Sequence, residues 1–246
     1  MAIRVVFFDL GETLFTYGQV DIEEMFVRGA RLTYEYLQEL SGDEKLLPDF
    51  KIYHRRHILS IKSHYIWSKI TKREFDCISL LEEKARGMGL QPDKKQLEQL
   101  AWLWYQPLAE NAVLEEGLAA HLEVLRDMSL KLAIISNTFL PGSVLDRHLE
   151  SFDLLKFFPV RVYSSDTIFR KPDRRIYETG LRKAAVSASE AVMVGDKIRE
   201  DIKGALKLGM RAVLKRTVAN HTRKFDNDIT TINTISELPG LIRRWS

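Results

Sequence analysis

Four short stretches of this chain place reactive side chains where a strand is expected to end. They are Phe8-Asp9-Leu10-Gly11-Glu12-Thr13-Leu14, Ile135-Ser136-Asn137-Thr138, Phe169-Arg170-Lys171-Pro172-Asp173, and Val194-Gly195-Asp196-Lys197-Ile198-Arg199-Glu200-Asp201. Together they offer a carboxylate, a hydroxyl, an ammonium and a carboxylate pair. Acidic groups at adjacent strand ends repel unless a hard cation joins them, so Asp9 with Asp196 points to a Mg²⁺ site. Ser136 can hydrogen-bond an anionic oxygen, and Lys171 can neutralise that anion while holding Asp9 ionised. A metal-bound carboxylate beside such a pocket is placed to attack phosphorus, with water resolving the intermediate. The chemistry implied is phosphoryl transfer to Asp9 followed by hydrolysis. Taken singly, each residue has a structural reading: Asp9 as a turn former, Ser136 and Thr13 as helix caps, Lys171 as a solvated charge. Their conjunction, in order and at strand ends, outweighs those readings.

The strands that would position them are visible as short apolar runs. Ile3–Phe8 is continuous, apolar and rich in β-branched and aromatic residues, as a buried strand requires. Similar runs recur at Leu132–Ser136, Val160–Ser164, Ala191–Gly195 and Arg211–Leu214, with helical patterns such as Leu118, Leu122 and Leu125 between them. Strands alternating with helices predict an α/β fold, a parallel Rossmann-like sheet with helices on both faces. The interval from Thr16 to about Leu114 is too long for one crossover and is helical in pattern. Ile22, Met25, Phe26, Gly29, Thr33, Tyr36, Leu37 and Leu40 keep a 3.6-residue spacing that stops near Gly42. Thr71-Lys72-Arg73-Glu74 fits a capping box with an Ile70–Phe75 staple, and Leu97, Leu100, Ala101, Trp104 and Leu108 form a further stripe. The expected division is a core of residues 1–16 and 113–246, with an inserted all-helical cap domain at 17–112. An insertion there lies over the carboxyl ends of the strands, where open α/β sheets bind ligands.

The ordered set resembles the four motifs of the haloacid dehalogenase-like hydrolase superfamily, with a helical cap between the first and second. The likeness covers about residues 1–16 and 113–240; the cap resembles the family in position and helical character only. The resemblance implies Asp9 as nucleophile and Mg²⁺ ligand and Gly11 as a backbone-carbonyl ligand. It implies Thr13 as orienting the loop, Ser136 as a phosphate ligand and Lys171 as a bridge between phosphate and Asp9. Asp196 would bind the metal with Asp201 supporting it, and Asn137 would contact phosphate through its backbone or shape the turn. One departure stands out. Phosphatases of the family usually carry Asp two residues after the nucleophile, where it protonates the leaving oxygen and activates water; here that position is Gly11. Losing a general acid–base typically lowers a rate by about 10²–10⁴, most for poor leaving groups. Glu12 is adjacent and chemically suitable, although one step along the chain points a side chain elsewhere. Two alternatives follow: a metal-independent 2-haloacid dehalogenase, which also lacks the second Asp, and a catalytically weakened phosphate-binding or interaction protein. Asp196 followed by Asp201 resembles the metal-binding phosphatase form, so hydrolysis of a small phosphorylated metabolite is the favoured reading.

Composition excludes several other classes. The chain has 246 residues, 45% apolar and 29% charged, the balance of a globular protein with a sizeable core. No apolar run approaches a membrane span, and the start does not read as a signal peptide. Cys77 has no second cysteine to pair with, so a cytoplasmic enzyme is expected. The net charge is +3, but Lys51 to Arg73 holds seven Lys/Arg, three His and no Asp or Glu. Arg55, Lys62 and Lys69 share one helical face, either solvated or steering anions, while Ile52, Leu59 and Ile66 share another, expected to pack on the cap. Nucleic acid is not the expected partner, because Tyr53, Tyr65 and Trp67 serve as readily in a core. His54, His57 and His64 lack the carboxylates of a zinc site. Trp102, Trp104 and Tyr105 are expected to be core, with a homodimer contact as the alternative. Arg216–Asp228 reads as a surface loop.

Overall fold

The computed structural model describes residues 2–42, 47–218, 220 and 228–245. The Arg216–Asp228 loop therefore lies largely outside the described residues. A six-stranded, all-parallel sheet forms the centre, in the order β5-β4-β1-β6-β7-β8. Its strands are β1 (Val5–Phe8), β4 (Lys131–Ser136), β5 (Val160–Tyr163), β6 (Ala191–Gly195), β7 (Arg211–Lys215) and β8 (Thr231–Ile232). The continuous apolar runs become strands because both faces are covered. Val6, Phe8, Leu132, Ile134, Val192 and Val194 belong to one core cluster, and the alternating Val5, Phe7, Ala133, Ile135, Ala191 and Met193 to the other. The first face is covered by helices α5 (Leu118–Asp127), α6 (Gly142–Ser151) and α10 (Leu238–Arg243), the second by α8 (Arg174–Ala184) and α9 (Gly204–Leu206). The fold class is the α/β, Rossmann-like one. Short β8 has no legible run, because two residues carry no period.

Four helices intervene between β2 (Phe15–Thr16) and β3 (Val113–Leu114): α1 (Ile22–Ser41), α2 (Phe50–Thr71), α3 (Cys77–Arg86) and α4 (Lys94–Ala109). Strands β2 and β3 pair antiparallel, Phe15 with Leu114 and Thr16 with Val113, so the chain leaves for the helices and returns from them through one narrow ribbon. Helix α1 starts where the Asp21 carboxylate accepts from Glu23 and Glu24 N–H, and it stops at Gly42, whose φ of 64° closes the helix in the left-handed region. Gly29 lets α1 and α4 approach closely; a Cβ there would stand 2.4 Å from the Trp104 carbonyl oxygen.

Two sequence expectations in this segment are corrected. Thr71 ends α2 rather than capping α3; Asp76 is the cap, its carboxylate accepting from Ser79 N–H at 3.1 Å. Glu74 is used elsewhere. It is buried against Arg170 and accepts from Ser164 Oγ at 2.6 Å, while its N–H donates to the Ile168 carbonyl at 2.8 Å. The second correction is the apolar face of α2. Ile52, Leu59 and Ile66 are 47%, 68% and 59% exposed, because α2 buries only Tyr53 and Ser68. The Tyr53 hydroxyl donates to Thr33 Oγ1 at 2.9 Å, which fixes the face that α2 turns toward α1. Trp102, Trp104 and Tyr105 are core, and Cys77 is buried at the start of α3. No described helix is long and apolar enough to cross a membrane.

Candidate active site

Strand register brings three motifs to one height. Phe8 pairs with Ile134 on one side and Val194 on the other, so Asp9 stands level with Ile135 and Gly195. Ser136 and Asp196 then sit one residue further along, on either flank. This is the switch point of the sheet: the chain runs outward from β1 to β4 and β5 on one side and to β6, β7 and β8 on the other. Asp9, Gly11, Ser136, Asn137, Lys171 and Asp201 line a cleft of about 140 Å³ at these strand ends.

Lys171 organises the centre. Its ammonium, 1% exposed, donates to Asp9 Oδ1 at 2.9 Å and to the Ile135 carbonyl at 2.8 Å, and lies 2.6 Å from Asp201 Oδ1. Ser136 Oγ donates to the same Asp9 oxygen at 2.9 Å. Burial raises the Asp9 pKa, but the charges of Lys171 and Lys197, with these hydrogen bonds, outweigh it and hold the carboxyl below its ordinary value. Burial likewise opposes the charge on Lys171, and Asp201 and Asp9 outweigh it, raising its pKa. Asp201 stands the other way: burial raises its pKa, and Lys171 offsets that only in part. Asn137 directs its side chain at the backbone of Lys171, accepting from its N–H at 2.7 Å and donating to its carbonyl at 3.0 Å. The side chain of Asn137 thus shapes the loop that presents the lysine.

Asp196 follows β6 directly and Asp201 lies in the wide turn Ile198–Lys203. Gly195 makes room for it, since a Cβ there would stand 2.3 Å from Asp201 Cγ. Asp9, Asp196 and Asp201 each bring a carboxylate oxygen within 4.8 Å of the others. Asp196 Oδ1 is buried without a hydrogen-bond donor among the described residues, the Lys197 ammonium lying 3.6 Å away. Burial raises the Asp196 pKa to about 7, with Lys197 opposing and Asp9 adding to the rise. An orphaned carboxylate oxygen beside two further carboxylates fits a hard divalent cation, the donor set Mg²⁺ prefers.

Thr13 and Glu12 are placed differently from the motif residues around them. Thr13 is fully buried, its hydroxyl has no partner among the described residues, and its carbonyl accepts from Lys215 Nζ at 3.1 Å. It shapes the loop through its backbone, outside the cleft lining. Glu12 has a φ of 62° and does not line the cleft.

Three lining residues carried no signal that sequence reasoning used. Lys197 reaches 3.9 Å from Asp9 Oδ2 and was adjacent to a motif residue all along. Tyr17 and Tyr105 sit 88 positions apart at the two ends of the helical segment, and their hydroxyls meet at 2.8 Å. Burial raises Tyr17 to about 12, so its hydroxyl stays protonated.

Comparison with known proteins finds likenesses in sequence and in fold. The family of haloacid dehalogenase-like hydrolases matches residues 31–215, a span that holds Ser136, Lys171, Asp196 and Asp201 and begins after Asp9. A glyceraldehyde 3-phosphate phosphatase of Methanothermobacter thermautotrophicus is 37% identical over 35% of this chain and 40% of that protein. A pyrimidine 5'-nucleotidase of Escherichia coli K12 is 25% identical over 96% of this chain and 95% of its own length. Among solved structures, a 2-haloacid dehalogenase from Pseudomonas syringae pv. Tomato superposes with a TM-score of 0.66 at 25% identity, covering 99% of this chain and 100% of that one.

Proposed function

The chain belongs to the haloacid dehalogenase-like hydrolase family, and we propose that it is a Mg²⁺-dependent phosphatase of small phosphoric monoesters, acting through an aspartyl-phosphate on Asp9. The observation that carries this is the buried Asp9 carboxylate, held ionised by Lys171 and set within 4.8 Å of two further carboxylates. Asp9, Asp196 and the Gly11 carbonyl would hold Mg²⁺, with Asp201 supporting them, and the ion would neutralise the phosphoryl oxygens. Asp9 Oδ1 is tied to Ser136 and Lys171, which leaves Oδ2 to attack phosphorus. Ser136 and Lys171 then bind the transferred group, and Asn137 keeps Lys171 in place. The helical segment 17–112 acts as a cap, opening about the β2–β3 ribbon to admit substrate and closing to exclude bulk water. The small cleft suits a small phosphorylated metabolite, and the names of two relatives, a glyceraldehyde 3-phosphate phosphatase and a pyrimidine 5'-nucleotidase, support that class. A single, buried thiol suits a cytoplasmic setting.

A second reading, metal-independent dehalogenation of a 2-haloacid, is supported by the Pseudomonas structure and by Gly11. The acidic group Asp9, Asp196 and Asp201 favours the phosphatase, since Lys171 answers Asp9 and Asp201 and leaves the buried Asp196 oxygen for a cation. Phosphate release from p-nitrophenyl phosphate, with Mg²⁺ or EDTA, decides between them. Turnover that needs Mg²⁺ and falls at least about 10³-fold in Asp9→Asn is expected. Halide release from a 2-haloacid in EDTA, without phosphatase activity, would overturn the proposal in favour of the second reading.

A further inference from the structure

The Tyr17 ring flanks the space beside Gly11. A Cβ on Gly11 would lie 3.7 Å from Tyr17 Cε2, so the Tyr17 ring stands against the space a side chain at position 11 would enter. Tyr17 lines the same cleft as Asp9, Ser136 and Lys171. Its ring meets Phe15 edge-on at 5.6 Å between centroids, and its hydroxyl lies 2.8 Å from that of Tyr105. The Tyr105 hydroxyl in turn lies 2.9 Å from His148 Nδ1, and both residues are buried, at 4% and 1% exposed. A polar chain therefore runs from a buried imidazole to the cleft wall and ends on the Tyr17 phenol. The donor roles follow the His148 tautomer: a proton on Nδ1 makes His148 donate to Tyr105 and Tyr105 to Tyr17, which frees the Tyr17 proton for the cleft, whereas a proton on Nε2 reverses the chain.

We propose that Tyr17 is the general acid and base of this site, a hydroxyl standing in for the carboxyl that position 11 lacks. The inference rests on the phosphatase reading. As the bond from Asp9 Oδ2 to phosphorus forms and the bond from phosphorus to the ester oxygen breaks, the Tyr17 proton passes to the departing oxygen. The alcohol leaves neutral, and Tyr17 remains as a phenolate that accepts a hydrogen bond from Tyr105. Water then attacks the aspartyl-phosphate, the phosphorus–Asp9 bond breaks, and the proton lost by water returns to Tyr17. One water is consumed, alcohol and phosphate are produced, and the phenol is restored. Burial raises the Tyr17 phenol to about 12 and weakens it as an acid, yet an alkoxide is a still stronger base than that phenolate and takes the proton.

Tyr17→Phe removes the oxygen and keeps the ring. The readout is kcat/KM with Mg²⁺ on ethyl phosphate, whose leaving group needs a proton, and on p-nitrophenyl phosphate, whose leaving group departs as a stable anion. The expected result is a loss of about 10²–10⁴-fold on the ethyl ester and less than about tenfold on the aryl ester. Equal loss on both esters, or none on either, would overturn the role of Tyr17 while leaving the phosphatase reading in place. The unmutated protein supplies a second measurement: with an acid present, its kcat/KM falls shallowly across esters of rising leaving-group pKa. A steep fall, with the ethyl ester unreactive beside a well-hydrolysed aryl ester, would overturn the inference without any variant. Failure of the unmutated protein on every ester would overturn the phosphatase reading and this inference with it.

Discussion

Lys171→Met is the most informative perturbation of this site, because it removes a charge and keeps much of the side-chain volume. The ammonium is 1% exposed, and the carboxylates of Asp9 and Asp201 that it faces are 6% and 0% exposed. Removing one partner of a buried ion pair costs about 3–5 kcal/mol, since the other charge is left desolvated and unpaired. Two carboxylates are stranded here, so a loss of about 4–5 kcal/mol is expected at pH 7 in EDTA. Lys197 compensates only in part: it also lowers the Asp9 pKa, but its side chain is 55% exposed and 3.9 Å from Asp9 Oδ2, an arrangement worth less than about 1 kcal/mol. The pH dependence has a definite sign. In the unmutated protein Lys171 holds Asp9 below its ordinary 3.8, whereas without that charge burial raises both carboxyls. The folded variant then takes up protons before the unfolded chain does, so its deficit shrinks as the pH falls from 7 toward 4. Urea unfolding at pH 7 and pH 5 measures this, and Mg²⁺ in place of EDTA should narrow the deficit further by supplying the missing positive charge. Asp201→Asn is the companion variant. Lys171 keeps Asp9 and the Ile135 carbonyl, and a strained charge is removed, so the change stays within about 1 kcal/mol. A deficit below about 1 kcal/mol for Lys171→Met at pH 7 in EDTA, or one that is unchanged at pH 5, would refute the account of charge compensation.

Other outcomes are equally direct. Gly29→Ala should destabilise the protein by about 1–3 kcal/mol in thermal unfolding, because its Cβ would meet the Trp104 carbonyl at 2.4 Å and two helix backbones must separate. His148 is kept neutral by burial, its pKa lowered to about 4. The unfolded chain therefore binds the extra proton first, and stability is lost as the pH falls from about 6.5 through 4; the shift is worth about 3 kcal/mol that His148→Asn should not show in urea titrations across that window. Glu74→Ala strands Arg170 and Ser164, with an expected loss of about 3 kcal/mol and faster hydrogen exchange at residues 168–171, while Glu74→Gln keeps the Ser164 bond and should lose less.

Much of this molecule is legible along the chain. Val5–Phe8, Lys131–Ser136 and Ala191–Gly195 read as strands because strands buried on both faces must be continuously apolar. Helix α1 reads from its period and its terminal Gly42, since only local backbone geometry is involved. Asp9, Ser136 and Asp196 read as a set because each sits at the end of a strand or directly after one, with Lys171 and Asp201 following in the loop or turn beyond. The two-residue pairs β2 and β3 are too short to carry a period, so their ribbon was invisible, and with it the meeting of Tyr17 and Tyr105. Residue type in α2 misleads for a different reason: Leu59 and Ile66 have the spacing of a buried face, but burial belongs to the neighbour, and α1 meets the other side of the helix at Tyr53. Glu74 completed a plausible capping box until Arg170, 96 positions away, supplied a stronger partner. What the chain determined by itself is which groups stand at the strand ends, since hydrophobic period and backbone propensity act over a few residues. What tertiary structure alone decided is their distances, their charges and their companions: parallel register sets Asp9 level between two strands, burial strengthens the field of Lys171, and a ribbon of four residues closes a helical loop onto the cleft. Those are interactions between segments, and no local spacing encodes them.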